Sequence, residues 1–312
     1  MSRRRKQRKS RKKLAYSITT VVLIFVCFLV YYFLHSSPTQ VAIVDHLSFF
    51  QEQRNQTFVN TCANILEEGG LTWGYYKGEE ITVDFYRKLP SRGANLIILR
   101  VHSAIMKTEN GTISILGLFT SERYSVEAAK KYPEDILDNR LVRAFFTEGG
   151  QEYFGIVPEF VEKSMKGEFR DTIIIMVGCE GLGYVNSVTH MRETYTDMAK
   201  AFVKKGAKVY IGWNGPVGLG HTDLATVRLL QSLILKKRTV KEAVEQTNYD
   251  VGPDPTYNST LKYYPNNSEV EDYTISNTKN HLITNIPYTP PTPKSFTRSK
   301  YTAQRSRQSL WR

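Results

Sequence analysis

The sequence predicts an α/β fold built on a mostly parallel sheet with helices on both faces. Short, nearly continuous apolar runs recur along the chain, and most are separated by segments with the apolar spacing of amphipathic helices. Strands that are apolar at almost every position are typical of parallel sheets, which are buried on both faces. The alternation of strands and helices therefore favours parallel pairing with helical crossovers.

The first half of the chain begins this alternation. Strands are predicted at residues 40–46, 71–76 and 95–103. Residues 49–70 repeat apolar side chains at helical spacing and end in two glycines, which predicts a helix and its stop. A shorter helix is predicted in residues 81–93.

Between residues 104 and 170 the pattern changes. Two turn signals, Glu109-Asn110-Gly111 and Gly149-Gly150, each separate short apolar runs and predict hairpins. We expect an antiparallel hairpin insertion near the edge of the sheet. Regular alternation then returns, with strands predicted at 171–179 and 208–213 and helices at 193–207, 222–237 and 239–247.

The chain begins with a basic arm, residues 1–13, followed by an uncharged apolar stretch, residues 14–34. A helix of that length crosses about 30 Å of hydrocarbon, so we predict an uncleaved signal anchor whose partner is the lipid bilayer. A cleaved signal peptide is the alternative, although its apolar stretch would be shorter. The basic flank should stay cytoplasmic, which predicts a single-pass cell-membrane protein with its main domain outside.

The rest of the chain divides into a predicted α/β domain at 39–252 and a tail at 253–312. The tail is polar, Pro-rich and basic, and we predict that it is largely disordered. Four N-glycosylation sequons follow the predicted membrane span. They are at Asn55, Asn110, Asn258 and Asn266.

The net charge of +12 does not indicate a basic face on the fold. Residues 1–13 hold nine basic side chains and residues 291–312 hold six, and neither segment has an acidic residue. The two arms together exceed the net charge, so the middle of the chain is slightly acidic. We therefore expect no nucleic-acid partner.

Two predicted strands end in reactive side chains, one in His102 and one in Cys179. If these strands are neighbours, the imidazole and the thiol meet at the carboxyl edge of the sheet, where α/β proteins form their sites. Gly178 and Gly181 would allow a tight turn that directs amides at an oxyanion. The alternatives for Cys179 are an inert buried thiol or a disulfide with Cys62.

One apolar block ending in His102 and a second ending in Cys179 resemble the pattern of caspase-like cysteine peptidases of clan CD. The nearest resemblance is to gingipain-like and CHAT domains, over about residues 40–248. It includes the segment that begins "MAKAFVKKGAKVYIGW" at Met198. The resemblance implies a caspase-like sheet, with His102 as general base, Cys179 as nucleophile and the amide of Cys179 in the oxyanion hole.

The sequence departs from that family in three places. Ser103 follows the histidine where these peptidases usually have glycine, although a serine amide donates equally well. The stretch "VGCEGLG" replaces the caspase cysteine motif, and the His102 to Cys179 separation exceeds the roughly 50 residues of caspases. Glu180 would disfavour a thiolate unless its carboxylate points away.

Other side chains are candidates for a substrate pocket: Trp213, His221, Asp223 and Asp45. Trp213 fits core packing as well as a pocket wall. An aspartate at position 223 would suit a basic substrate side chain, but Thr222 or Asp223 is also placed to cap the next helix. Asp45 and His46 end the first strand and are expected to reach the same crevice.

We predict no metal and no cofactor, because no pair among His46, His102, His190 and His221 has a recognised ligand spacing. The sequence predicts a membrane-anchored, extracytoplasmic Cys-His endopeptidase that acts through a thiolate and an acyl-enzyme. The alternative is a catalytically inactive caspase-like module for binding or scaffolding at the surface, and the peptide or protein partner is left open in both.

Overall fold

The structure is a computed structural model that describes residues 40–107, 113–145, 150–186 and 189–275. It is a mixed α/β protein with a largely parallel central sheet, which confirms that part of the prediction. The strands are β1 Val41–Asp45, β2 Trp73–Lys77, β3 Leu96–Arg100, β4 Ser103–Lys107, β5 Ile113–Arg123, β6 Leu141–Phe145, β7 Glu152–Ile156, β8 Thr172–Met176, β9 Gly183–Val185, β10 Arg192–Thr194, β11 Ala207–Trp213 and β12 Leu261–Tyr264.

The α-helices are α1 Gln56–Glu68, α2 Val83–Arg87, α3 Val126–Ala129, α4 Pro133–Leu137, α5 Asp197–Lys204, α6 Leu219–Leu230, α7 Val240–Val251 and α8 Ser268–Glu271. Two of the three longest helices begin with a side-chain cap. Asn55 accepts a hydrogen bond from the amide of Phe58 at the start of α1. Thr239 and Glu242 form a capping box at the start of α7.

The central sheet has six strands in the order β12-β11-β8-β3-β1-β2. All neighbours are parallel except β11 and β12. In the middle of the sheet, Leu96 of β3 lies opposite Ile173 of β8, and Leu99 lies opposite Met176. The carboxyl ends of β3 and β8 therefore stand side by side and at the same level.

Side chains alternate across this sheet into two cores. Val44, Leu99 and Met176 pack on one face with residues of α2 and α5. Their neighbours in the strands, such as Ile98 and Ile175, pack on the other face with α1, α6 and α7. Each fully buried side chain of this size contributes roughly 1.5–3 kcal/mol, so both faces hold the sheet in place.

The antiparallel insertion differs from its predicted position. It forms a separate four-stranded sheet, in the order β4-β5-β7-β6, and enters the chain between the two central strands β3 and β8. The expectation of an insertion near the sheet edge is therefore wrong. Pairing of β5 with β7 joins the two hairpins and buries Leu118 and Ile156 in a core shared with the central sheet. The predicted turn Glu109-Asn110-Gly111 lies outside the described residues, as does Gly149 of the second predicted turn.

Ordered structure also extends beyond residue 252. Strand β12 pairs antiparallel with β11, and Asn248 of α7 exchanges two hydrogen bonds of 2.9 Å with the backbone of Leu261. The prediction of a largely disordered segment from 253 is therefore wrong for residues 253–275. Few apolar residues are needed here because the backbone of an existing strand supplies the pairing. Residues 276–312 lie outside the described part of the chain.

In the residues that the structure describes, no helix has the length and apolar character needed to cross a membrane. The predicted basic arm and signal anchor, residues 1–34, lie outside those residues.

Candidate active site

His102 and Cys179 occupy matching positions at the carboxyl edge of the sheet. Each stands three residues beyond the last paired positions of β3 and β8, Leu99 and Met176. Both residues line one cavity of about 90 Å³. The structure thus brings together the two residues that the sequence singled out as base and nucleophile.

The turn that carries Cys179 is bonded to the start of β4. Ser103 is 3% exposed, and its Oγ donates a hydrogen bond of 2.6 Å to the carbonyl oxygen of Cys179. The amide of Ile105 donates to the carboxylate of Glu180 at 3.0 Å. Glu180 therefore points toward β4, although it remains one of the groups that raise the pKa of the Cys179 thiol.

The amide of Ser103 faces the same turn. Phe119 of β5 donates a hydrogen bond of 3.0 Å to the carbonyl oxygen of His102, which fixes the alternation of amides along β4. Successive amides point to opposite edges of a strand. The N–H of Ser103 therefore lies on the same edge as that of Ile105, which is the edge bonded to the turn of Cys179 and Glu180.

Gly178 and Gly181 allow close packing of the turn that carries Cys179. A Cβ on Gly178 would lie 2.4 Å from the carbonyl oxygen of Val101, and one on Gly181 would crowd the side chains of Met176 and Tyr210. Both glycines thus permit close approach of backbones. The left-handed conformation in this turn belongs to Glu180, with φ of 62°.

Cys179 is half-buried and packs against the core on the α1 side of the sheet. Its Sγ donates a long hydrogen bond of 3.7 Å to the carbonyl oxygen of Val217. Burial raises the pKa of the thiol, and the charges of Glu180 and Asp254 raise it further against the opposing effect of Val217. The resting group at neutral pH is the thiol.

His102 stands edge-on to Phe119, with ring centroids 4.7 Å apart. Burial lowers the pKa of His102 to about 4, so its imidazole is neutral at neutral pH and able to accept a proton. His46 lies beside it, fully buried, and its pKa is lowered to about 3 by burial and by the nearby His102. Two neutral imidazoles therefore lie close together, and that of His102 lines the cavity.

A buried ionic cluster lies beneath the site. The Arg100 side chain is inaccessible to solvent and donates to both carboxylate oxygens of Asp223, at 2.8 and 3.0 Å, and to Asp45 at 2.9 Å. The carboxylate of Asp45 also accepts from Tyr75, at 3.0 Å, and burial raises its pKa. Burying such charges is tolerated only when they are paired and hydrogen-bonded, as they are here.

Two of the residues predicted to line a substrate pocket belong to this buried cluster instead. Asp223 and Asp45 are 4% and 1% exposed, and Arg100 holds both. Neither presents a carboxylate to a basic substrate side chain. The capping alternative is also wrong, because α6 begins at Leu219 and places Thr222 and Asp223 inside the helix.

Trp213 belongs to the core. It is 1% exposed, and its indole N–H donates to Oγ1 of Thr222 at 2.8 Å. Thr222 in turn lines the cavity with Cys179. His221 packs against the Trp213 ring, with centroids 5.3 Å apart. The tryptophan thus supports the cavity through Thr222 and is not itself a wall.

Cys62 is a buried free thiol, so it forms no disulfide with Cys179, which is also free. Burial raises the pKa of Cys62 to about 12. In the described ranges, no group of three His, Cys, Asp or Glu side chains is placed to hold a metal ion.

The sequons differ in exposure. Asn258 and Asn266 are exposed, whereas Asn55 is half-buried and its Nδ2, the atom that would carry a glycan, donates to Asp223 at 2.8 Å. Asn110 lies outside the described residues.

Two residues beside the site were missed in the sequence: Arg100 and Gln53. A signal for Arg100 existed, because an arginine ends the otherwise apolar run "NLIIL" and Asp45 ends the neighbouring strand. Gln53 lines the cavity from a short 3-10 turn, Gln51–Gln53, and had no such signal.

No protein-family model matches this chain, and no curated protein matches it.

Proposed function

We propose that this chain is a caspase-like cysteine peptidase in which Cys179 is the nucleophile and His102 the general base. One observation carries the proposal: the two residues occupy matching positions on adjacent central strands and line the same cavity. The parallel sheet with one antiparallel edge strand, and the sequence pattern around both residues, support the caspase-like assignment.

The proposed reaction starts from a neutral pair. As Sγ of Cys179 attacks the peptide carbonyl carbon, the thiol proton passes to His102 and a C–S bond forms. The amides of Ser103 and Cys179 donate to the oxyanion. Collapse breaks the C–N bond, and the amine leaves with the proton from His102. Water, deprotonated by His102, then cleaves the thioester and regenerates the thiol.

The proposal includes the membrane topology and the location of this peptidase. Residues 14–34 anchor the chain in the cell membrane, residues 1–13 stay on the cytoplasmic side, and the catalytic domain acts outside on a peptide or protein. Among the sequons in the described part of the chain, Asn258 and Asn266 are exposed and would accept a glycan. The fold needs no cofactor for this chemistry.

The second candidate is an inactive caspase-like module that binds a partner. Its support is the electrostatic state of the pair, because burial raises the pKa of Cys179 and lowers that of His102 to about 4. An unliganded pair in that state is not a thiolate and an imidazolium. The small cavity, about 90 Å³, also suits one side chain more than a whole ligand.

Hydrolysis of a quenched-fluorescent peptide library by the full chain in detergent tests the proposal. We expect turnover that Cys179→Ala abolishes, while Cys62→Ala, which removes the other described thiol, retains it. Absence of turnover by a folded wild-type chain, or turnover that survives Cys179→Ala, would favour the binding module.

A further inference from the structure

We propose that the cavity beside Cys179 is a specificity pocket for a small, uncharged polar side chain, and that the carboxamide of Gln53 recognises it. The inference rests on the proposed function, because the side chain is the one whose carbonyl carbon Cys179 attacks. Asparagine is the side chain that fits the pocket best.

Gln53 offers an unsatisfied polar atom at the cavity. It lines the cavity, and its Oε1 is buried without a hydrogen-bond partner in the protein. A buried acceptor in that state costs free energy until a ligand supplies a donor. A carboxamide both donates and accepts, so a substrate carboxamide can form two hydrogen bonds with it.

Hydrogen bonds from Arg100 and Asn55 fix the turn that carries Gln53. Arg100 donates from Nη2 to the carbonyl oxygen of Gln53 at 3.0 Å, while its other donors hold Asp45 and Asp223. Asn55 ties the next residues to Asp223 as well. The buried ionic cluster thus acts as the support of the pocket, and Arg100 is a positioning residue for Gln53.

The dimensions of the cavity limit the side chain. Its volume of about 90 Å³ is smaller than the roughly 150 Å³ of an engineered cavity that holds one benzene molecule. A short side chain therefore fits more readily than arginine or an aromatic residue. Apart from Thr222, the other side chains that line the cavity are apolar: Leu47, Val101, Val177, Val217 and Leu219.

The charges around the cavity disfavour an acidic side chain, and the lining gives a basic side chain no ion-pair partner. No carboxylate is among the side chains that line the cavity, and Arg100 holds both Asp45 and Asp223. An acidic side chain cannot reach Arg100, whose side chain is 0% exposed. It would also meet the negative charges of Glu180 and Asp254, which already act on Cys179.

Peptide acyloxymethyl ketones that differ only in the side chain next to the reactive ketone test this pocket. The probe forms a C–S bond with Cys179 and loses its carboxylate, and mass spectrometry of the full chain locates the adduct. We expect the asparagine probe to label Cys179 at least about tenfold faster than the aspartate, arginine and leucine probes.

Variants of the turn provide the matched comparison. Gln53→Ala should slow the asparagine probe about tenfold and leave an alanine probe within about twofold, because only the first uses the carboxamide. Gln51→Ala, an exposed glutamine in the same turn, should change neither rate.

Two results would contradict the inference in different ways. Fastest labelling by the arginine, aspartate or leucine probe, or an equal loss for all probes in Gln53→Ala, overturns the pocket and leaves Cys179 a nucleophile. No labelling of Cys179 by any probe in the folded chain overturns the proposed function, and the pocket inference with it.

Discussion

Ser103 holds Cys179 through a hydrogen bond of 2.6 Å from its Oγ to the carbonyl oxygen of Cys179. The bond joins the residue after the proposed base to the proposed nucleophile itself. The separation of the loops after β3 and β8 is thus set by a side chain that is 3% exposed.

Ser103→Ala should slow the reaction of Cys179 with a peptide electrophile more than it lowers stability. Loss of one neutral hydrogen bond costs about 1 kcal/mol, but the turn loses a contact that aligns Cys179. Ser121→Ala is the control, because Ser121 donates a similar buried hydrogen bond, 2.7 Å long, to Gly78. If Ser103→Ala and Ser121→Ala lose equal stability and their Cys179 is labelled at equal rates, Ser103 has only a structural role.

Gly178→Ala should destabilise the protein, because its Cβ would lie 2.4 Å from a backbone oxygen that cannot move independently. We expect a loss of at least about 1–3 kcal/mol, the usual cost of overpacking. Gly220→Ala is the matched change, since an added Cβ meets nothing within 4 Å in α6. It should raise stability by roughly 0.5–1 kcal/mol. Urea unfolding measures the stability of both variants. Equal changes in stability for Gly178→Ala and Gly220→Ala would contradict the packing explanation.

Arg100→Met should cost about 3–5 kcal/mol, because it leaves Asp45 and Asp223 buried without their cation. The loss should shrink as the pH falls, because Asp45, whose pKa is raised by burial, then becomes protonated. Arg143→Met removes an exposed ion pair with Glu152 and should change stability little. Thermal unfolding across pH compares them, and similar stability for both variants would contradict a structural role for the cluster.

The acid limb of activity should lie near pH 4. Burial lowers the pKa of His102 to about 4, and the neutral imidazole is the form that accepts the thiol proton. Activity should therefore persist below the ordinary histidine value of about 6.5 and fall as the pH drops through about 4. The pH profile of kcat/KM measures this, with tryptophan fluorescence to verify folding. An acid limb between pH 6 and 7 in folded protein would contradict it.

Much of the sheet was predictable because its strands are short apolar runs between amphipathic helices, which is a local property of the sequence. The position of the insertion was not, because pairing of β5 with β7 is a long-range contact without a periodic signal. The order of residues 253–275 was missed for a similar reason. Strand β12 gains its stability from the backbone of β11 and not from apolar side chains of its own.

The site was predictable only in part. His102 and Cys179 could be singled out because a reactive side chain at the end of an apolar strand is easy to recognise in a sequence, and the structure places both at one cavity. The ion pair of Asp223 was not predictable, because its partner Arg100 lies 123 residues away in the chain. The sequence alone does not show which side chain pairs with a carboxylate. A carboxylate in a buried ion pair therefore cannot be distinguished from one that lines a substrate pocket.

The measurement that tests the central claim most directly is the rate at which a peptide acyloxymethyl ketone modifies Cys179 at pH 7, in wild type and in His102→Ala. General-base assistance predicts a rate at least about 100-fold lower in the variant, with both chains folded and the adduct located on Cys179. Equal rates in the two folded proteins would contradict a catalytic pairing of His102 with Cys179.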